Sequence, residues 1–203
     1  MDAIKVGGTW VSFVEGLSRE DKQDVQDCLL YAELRANSEG IEGFVWLSHY
    51  QSTLLTLGFN LQSYIVDRPI LVLDIRQVDE YAVEVSGVQS TQRLAQSLGD
   101  VFDAMPIRQD ALSYLRHPVD NAQTRHYQCV PCENTQEGHV IVFVCGLALS
   151  CQRARARGRT HDVYLNAKGG AFVLNRTIYA RHRAQVQEAV RQAAAHMVSV
   201  IEI

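Results

Sequence analysis

Long apolar runs are missing from this 203-residue sequence. The longest nearly apolar stretch, HVIVFVCGLALSC, covers 139–151 and contains Gly146, whereas a membrane-spanning helix needs about 20 apolar residues. The N-terminal segment MDAIKVGGTW also lacks the basic and apolar regions of a secretory signal peptide. We therefore expect a cytoplasmic protein, or one exported without a conventional signal peptide.

Motifs of nucleotide-binding and hydrolytic enzymes are missing as well. The sequence contains no GxGxxG motif, no P-loop, no GxSxG nucleophile motif and no HExxH zinc motif. Each of these motifs supplies a specific device, such as a phosphate cradle or an activated nucleophile. Their absence favours a non-enzymatic protein, and we expect no cofactor and no bound metal.

Cysteine is the residue type that keeps an enzymatic alternative open. The chain has five cysteines, an odd number that indicates reduced thiols rather than a disulfide framework. We take Cys28, Cys129, Cys132 and Cys145 as candidates for a reactive thiol. A cysteine-dependent hydrolase or transferase also needs an adjacent base. Cys28 or Cys145 would be its nucleophile, and the histidines that could act as base are His49, His139 and His161.

The spacing of the cysteines also permits two other hypotheses. Cys129 and Cys132 form a CVPC motif, which elsewhere supports dithiol exchange. Together with Cys145 and Cys151 they could supply four thiolates for zinc, with His126 and His139 as substitutes. The motif does not precede a helix, and the second pair lies in an apolar run. The sequence therefore favours buried thiols that pack as small hydrophobic side chains.

Composition indicates one ordinary globular domain covering 1–203. Apolar residues make up 47% of the chain and charged residues 21%, which is unlike disordered sequence. The charges are unevenly distributed. Residues 1–100 carry 7 Lys and Arg and 15 Asp and Glu, a net of −8, whereas 101–203 carry 12 and 8, a net of +4. Opposite halves of this kind favour head-to-tail self-association if the fold keeps them apart.

Hydrophobic periodicity gives the elements of the N-terminal half. Residues 4–14 predict a short hairpin or a kinked strand, interrupted at Gly7–Gly8. Ser18 predicts the N-cap of a helix to about residue 36. A second helix ends at Gly58. Strands follow at 60–66 and 70–75, and helices are expected at 90–105 and 109–118.

The C-terminal half predicts a β-meander. Strands are expected at 125–130, 139–150, 161–165 and 171–174, followed by one long helix from about residue 175 to 198. The run at 139–150 does not alternate between apolar and polar residues, so we interpret it as a strand buried on both faces. The predicted fold class is α+β, with an antiparallel C-terminal sheet packed against amphipathic helices and a long C-terminal helix.

A row of arginines follows the buried run. Arg153, Arg155, Arg157 and Arg159 are two residues apart, so they would lie on one face of a strand. Such a row could bind the head groups of an anionic membrane surface or the acidic half of another copy. A solvated turn that protects a strand edge is the simpler alternative. Nucleic acid is a poor candidate because the chain is net acidic and no aromatic side chains alternate with the arginines.

Three segments resemble a group of small bacterial proteins of similar length. They are CLLYAELRAN, WLSHYQSTLLTLGFNLQSYIV and DVYLNAKGGAFVLNRTIYARHRAQVQEAV, which begin at Cys28, Trp46 and Asp162. The resemblance implies the fold, with Asn175 ending a strand and capping the last helix. It implies no reaction, and an association with virulence or toxin loci is its only functional indication.

These observations favour a non-enzymatic protein that acts by association. Its partner would be a second copy of the chain or an anionic membrane surface. Its role would be that of a toxin or an effector. The alternative is the cysteine-dependent enzyme.

Overall fold

The structure, a computed structural model, describes residues 2–14, 16–83, 85–87, 105–117, 121–135, 137–154 and 161–199. In these ranges the protein has eight strands in one sheet and six helices. The strands are β1 (Asp2–Val6), β2 (Thr9–Phe13), β3 (Phe59–Ile65), β4 (Ile70–Val72), β5 (Val85–Gly87), β6 (Gln123–Asn134), β7 (Val140–Arg153) and β8 (His161–Leu174). The helices are α1 (Arg19–Ser38), α2 (Gly43–Thr56), α3 (Arg76–Asp79), α4 (Ile107–Arg116), α5 (Arg176–Tyr179) and α6 (Arg183–Ser199).

The sheet is mixed, so the expected purely antiparallel, C-terminal sheet is wrong in part. Its strand order is β1-β2-β6-β7-β8-β3-β5, and β4 pairs with β8. The meander β6-β7-β8 is antiparallel as predicted. However, β2 lies parallel to β6, with Trp10 opposite Cys129. Because this contact joins segments far apart in sequence, local patterning gives no signal for it.

Strand β7 is the centre of the sheet and confirms the interpretation of the apolar run. It pairs with β6 along one edge and with β8 along the other. Val142 and Val144 pack in a core with α1 and α2, whereas Phe143 and Leu147 pack in a second core with α3 and α4. Both faces of the strand are therefore covered by helices, which explains why its sequence does not alternate.

The ends of the elements follow local chemistry. Gly7 has φ +58° in the turn between β1 and β2, a conformation that glycine adopts without steric cost. Ser18 Oγ accepts a hydrogen bond from the Asp21 N–H and caps α1. Asn175 Oδ1 accepts bonds from the Thr177 and Ile178 N–H groups. This confirms Asn175 as a cap.

Two predicted elements differ in the structure. The AKGG segment at 167–170, which the sequence predicts as a turn between two strands, is part of the single strand β8. Gly170 explains the difference, because a Cβ there would lie 2.3 Å from the Ser63 carbonyl oxygen of β3. The glycine allows close strand approach rather than a turn. The long C-terminal helix is also divided, into α5 and α6.

Most of the helix predicted at 90–105 lies outside the described residues. Within the described residues, no helix has the length and apolar character needed to cross a membrane.

Candidate ligand-binding cleft

The cysteines that the sequence singled out are all buried thiols. Cys28 lies on α1, Cys129 and Cys132 on β6, and Cys145 on β7, as does Cys151. Burial raises the pKa of Cys28 and of Cys132. The pKa of Cys129 is raised by its hydrogen bond with Cys145 and by burial. Because the thiolate is the nucleophile, burial of this kind describes packing rather than reactivity.

The geometry of the CVPC motif separates its two thiols. Side chains three residues apart on a strand point to opposite faces of the sheet. Cys132 accordingly packs in the core beneath α1, and Cys129 packs in the core beneath α4. Cys129 instead faces Cys145, its cross-strand neighbour, and its Sγ donates to the Cys145 carbonyl at 3.7 Å. The two thiols of the motif therefore cannot act on one substrate or share one metal.

The candidate bases are not arranged around Cys28. His49 is exposed on α2, and His139 lies 3.6 Å from Glu137. The groups that act on the Cys28 thiol are instead Tyr179 and the neighbouring carboxylates of α1. Among the described residues, no group of three His, Cys, Asp or Glu side chains is placed to hold a metal ion.

The arginine row is described only at its first member. Arg153 is exposed at the end of β7. Arg155, Arg157 and Arg159 lie outside the described residues. Binding of this row to an anionic membrane surface or to a second copy stays a prediction.

A different region has the geometry of a binding site. A cleft of about 390 Å³ opens between the β1–β2 turn, the C-terminal half of α1, the start of α2, and strands β6 and β7. Gly8 and Glu33 form one wall, Phe44 and Trp46 belong to the helix α2 that crosses it, and Gln128 lies on the sheet. The cleft therefore combines an aromatic wall with a few polar groups, as small-molecule sites do.

The floor of the cleft is built from two strands. Gln128 on β6 lies opposite Gly146 on β7, so both positions face the α2 side of the sheet. A Cβ at Gly146 would lie 2.6 Å from Leu47 Cδ2. The glycine thus lets α2 approach the sheet closely, and this approach leaves the Gln128 amide enclosed.

Gln128 is the most unusual polar group in the cleft. The residue is 6% exposed, and among the described residues neither its Oε1 nor its Nε2 has a hydrogen-bond partner in good geometry. The fully buried Tyr50 hydroxyl lies near Gln128 and Thr9, but it also lacks a partner in good geometry. Burial raises the pKa of Tyr50 strongly. An unsatisfied buried polar group costs about 1–3 kcal/mol, so this floor weakens the fold.

Glu33 forms the wall beside the glycine turn. Its carboxylate accepts the Gly8 N–H with Oε1 at 2.8 Å and Oε2 at 3.1 Å. A Cβ at Gly7 would lie 2.3 Å from Glu33 Oε2, so a larger residue there would displace the carboxylate from its present position. Burial raises the pKa of Glu33, although the Gly8 N–H opposes this shift.

Aromatic side chains at the start of α2 form the rim. Trp46 Nε1 donates to Asn37 Oδ1 at 2.7 Å, and the Trp46 ring stacks on Tyr50 with centroids 5.2 Å apart. These contacts fix the orientation of the indole. Phe44 meets His126 edge to face at 6.0 Å, and partial burial lowers the pKa of His126. The neutral form of the imidazole therefore predominates at pH 7.

Sequence reasoning missed this site almost entirely. Of its residues, only His126 was considered, and then as a substitute zinc ligand. Two weak signals were present in the sequence. One is a glutamine beside a buried strand segment, and the other is a Gly-Gly turn near an acidic helix. Neither signal shows that the Gln128 amide lacks a hydrogen-bond partner, because the lack of a partner depends on how α2 packs on the sheet.

Fold and cleft together define a three-layer α/β protein with a partly polar cleft between one helical layer and the sheet. No family model matches the chain, and no curated protein matches it. Among solved structures, the chain is similar to that of the Evf virulence factor, with a TM-score of 0.42 and 10% identity. That alignment covers 91% of this chain and 75% of the other.

Proposed function

We propose that this protein is a non-enzymatic binding protein, and that it acts by non-covalent association with a ligand held in the cleft. The observation that carries the proposal is the unpaired Gln128 amide on the cleft floor. A side chain of this kind offers one donor group and one acceptor in a fixed place. A ligand with a complementary edge would satisfy both.

The dimensions and lining of the cleft support this proposal. Its volume of about 390 Å³ is within the range of small-molecule sites, roughly 300–1,000 Å³. The rigid Trp46 and Phe44 rings provide an apolar wall, and Gln128 provides the polar contact that fixes orientation. The high pKa of the buried thiols favours binding over covalent chemistry, because no activated nucleophile faces the cleft among the described residues.

An effector-like or toxin role is compatible with this proposal. So is association with a second copy or an anionic membrane. The effector role and both kinds of association remain predictions from the sequence. The proposed cleft would give such a protein a small ligand in addition to its partner.

The test is a pair of glutamine-to-leucine variants. Gln128→Leu replaces an unpaired amide by an apolar side chain of similar size, so the free energy of unfolding should rise by about 1 kcal/mol. Gln62→Leu is the matched control, because Gln62 is exposed on β3 and its replacement should leave stability within about 0.5 kcal/mol. Urea unfolding measures both. A loss of more than about 1 kcal/mol in Gln128→Leu would show that the amide is paired by the protein and would overturn the proposal.

Binding is measured on the same variants with 3-phenylpropionamide as the probe. Its ring matches the aromatic rim and its carboxamide matches the Gln128 amide. A ligand of this size should bind with Kd on the order of millimolar. We expect the Trp46 indole N–H resonance to shift in wild type and in Gln62→Leu, and not in Gln128→Leu. Identical shifts in all three proteins would contradict the role of Gln128.

A further inference from the structure

The charges of the cleft point to the chemistry of its ligand. We infer that the cleft recognises an organic ammonium with a hydrogen-bond acceptor close to it, the ammonium lying beside Glu33 and the acceptor facing Gln128. This inference rests on the proposed function, since it names the ligand class of the same cleft. It goes further because the proposed function requires only a polar edge and an apolar body.

The charged groups of the lining are of one sign. Glu33 and Glu42 are the carboxylates among the fifteen residues that line the cleft, and none of these residues is a lysine or an arginine. His126 adds no charge at pH 7 because burial lowers its pKa. A cleft lined by one sign of charge concentrates ligands of the opposite sign. An anionic ligand would have to displace or oppose both carboxylates.

Glu33 has capacity for another donor. Its two oxygens share a single N–H donor, that of Gly8, whereas a carboxylate offers about four lone-pair sites. Lys5 attracts Glu33 from outside the cleft, but its ammonium lies over the Trp10 ring, 5.8 Å from the centroid. A ligand ammonium would therefore add charge-assisted hydrogen bonds to a carboxylate that the protein holds with one neutral donor.

Gln128 provides an independent reason for a second polar group on the ligand. The Oε1 atom can accept from an ammonium, but Nε2 then still needs an acceptor. A carbonyl or hydroxyl oxygen next to the ammonium would supply it. The face of Trp46 that Tyr50 does not cover would in addition favour a cation over a neutral group of equal size. The Phe44 ring already carries the Lys168 ammonium, 4.9 Å from its centroid. Amino-acid amides and the amino end of a peptide share this combination of groups.

The experiment compares two probes that differ by one ammonium group. L-phenylalaninamide and 3-phenylpropionamide have the same ring and the same carboxamide. Titrations at pH 6.5 and low salt follow the Trp46 and Gly8 N–H resonances. In wild type we expect L-phenylalaninamide to bind about tenfold more tightly. A Phe-Ala-Ala peptide amide then distinguishes a peptide end from a free small amine, because only a site open to a chain end retains the affinity.

Matched variants separate the ammonium contact from the cleft itself. Glu33→Gln keeps an acceptor for the Gly8 N–H and removes the charge, so the tenfold preference should vanish while 3-phenylpropionamide binds as in wild type. Glu39→Gln is the control, because Glu39 is exposed at the end of α1, and it should keep the preference. Gln128→Leu should weaken both probes.

The outcomes distinguish this inference from the proposed function. If 3-phenylpropionamide binds and L-phenylalaninamide binds no better, the ammonium inference is wrong and the binding cleft stands. The ammonium inference is also wrong, and the binding cleft also stands, if the Glu33→Gln variant still binds L-phenylalaninamide more tightly than 3-phenylpropionamide. If neither probe shifts the Trp46 or Gly8 resonance at millimolar concentration, the proposed function fails and this inference fails with it.

Discussion

Tyr127 and Gln128 are neighbours on β6, yet their environments are opposite. Tyr127 points to the α4 side of the sheet, where its hydroxyl donates to Asp110 Oδ2 at 2.5 Å. Arg125, two residues earlier, pairs with the same carboxylate. Gln128 points to the α2 side and has no partner for either amide atom. Neighbouring residues of one strand thus present a hydrogen-bonded hydroxyl on one face and an amide without a partner among the described residues on the other.

The difference separates the α4 face of the sheet from the α2 face. On the α4 side, polar side chains attach a helix to the sheet, and the carboxylate of Asp110 is shared between two donors. On the α2 side, the polar group lies at the floor of a cleft and has no partner among the described residues. Natural proteins often lose stability where they gain function. The first network therefore attaches α4 to the sheet, and the second group belongs to the proposed ligand site.

The strongest way to test the comparison is to remove the shared acceptor. Asp110→Ala leaves the Tyr127 hydroxyl and the Arg125 guanidinium without their partner, so the free energy of unfolding should fall by about 2 kcal/mol. Urea unfolding gives the value. Asp79→Ala is the control, because the Asp79–Arg108 pair is exposed, with side chains 42% and 58% accessible, and should cost less than about 0.5 kcal/mol. Equal losses in the two variants would mean that the network has no special role.

A pair of hydroxyl deletions tests the comparison atom by atom. Tyr127→Phe removes a hydroxyl that donates to Asp110, and should cost about 1 kcal/mol. Tyr50→Phe removes a hydroxyl with no partner in good geometry, so it should leave stability unchanged or raise it by up to about 1 kcal/mol. Thermal and urea unfolding measure both. If Tyr50→Phe costs as much as Tyr127→Phe, the cleft floor is satisfied and the contrast between the faces is lost.

Much of the fold could be predicted because its signals are local. The Gly7–Gly8 hairpin, the Ser18 cap and the buried run in β7 depend on a few adjacent residues. The parallel pairing of β2 with β6 could not be predicted, since its residues are more than a hundred positions apart. The turn expected at 167–170 failed for a related reason. Gly170 is required by the close approach of Ser63 on β3, and Gly169 by that of the Val144 carbonyl on β7. Neither contact is local in the sequence.

The candidate site was harder to predict than the fold. Cysteines and arginines attract attention because their chemistry is strong, but reactivity requires exposure, and Cys28 and Cys132 are fully buried. The residues of the cleft have ordinary chemistry, and Gln128 is unusual only because its amide has no partner in good geometry among the described residues. A missing partner is a property of the packed structure. Periodicity and motifs therefore cannot reveal it.

The smallest expected effect concerns pH, and it compares two carboxylates of α1 that each have an arginine partner. Asp21 lies on α1 in the same layer as the cleft wall and accepts from Arg176 Nε at 3.0 Å and Nη2 at 2.8 Å. Burial acts to raise its pKa, but bonds from Ser18 and Arg176 outweigh burial and lower it below 3.8. Ionised Asp21 therefore stabilises the fold at neutral pH, and this contribution is lost as the pH falls below 3.8.

Asp24, one turn later, gives the opposite expectation. Burial raises its pKa above 3.8 despite its pairing with Arg183, so its ionised form opposes folding as the pH rises. Relative to wild type, Asp21→Asn should lose stability from acid to neutral pH, and Asp24→Asn should gain it. Urea midpoints across that range measure both slopes. Opposite slopes would show that the bonds from Ser18 and Arg176 outweigh burial at Asp21, whereas burial outweighs the pairing with Arg183 at Asp24. Parallel slopes would mean that the pairing with Arg176 and Arg183 does not distinguish the two carboxylates.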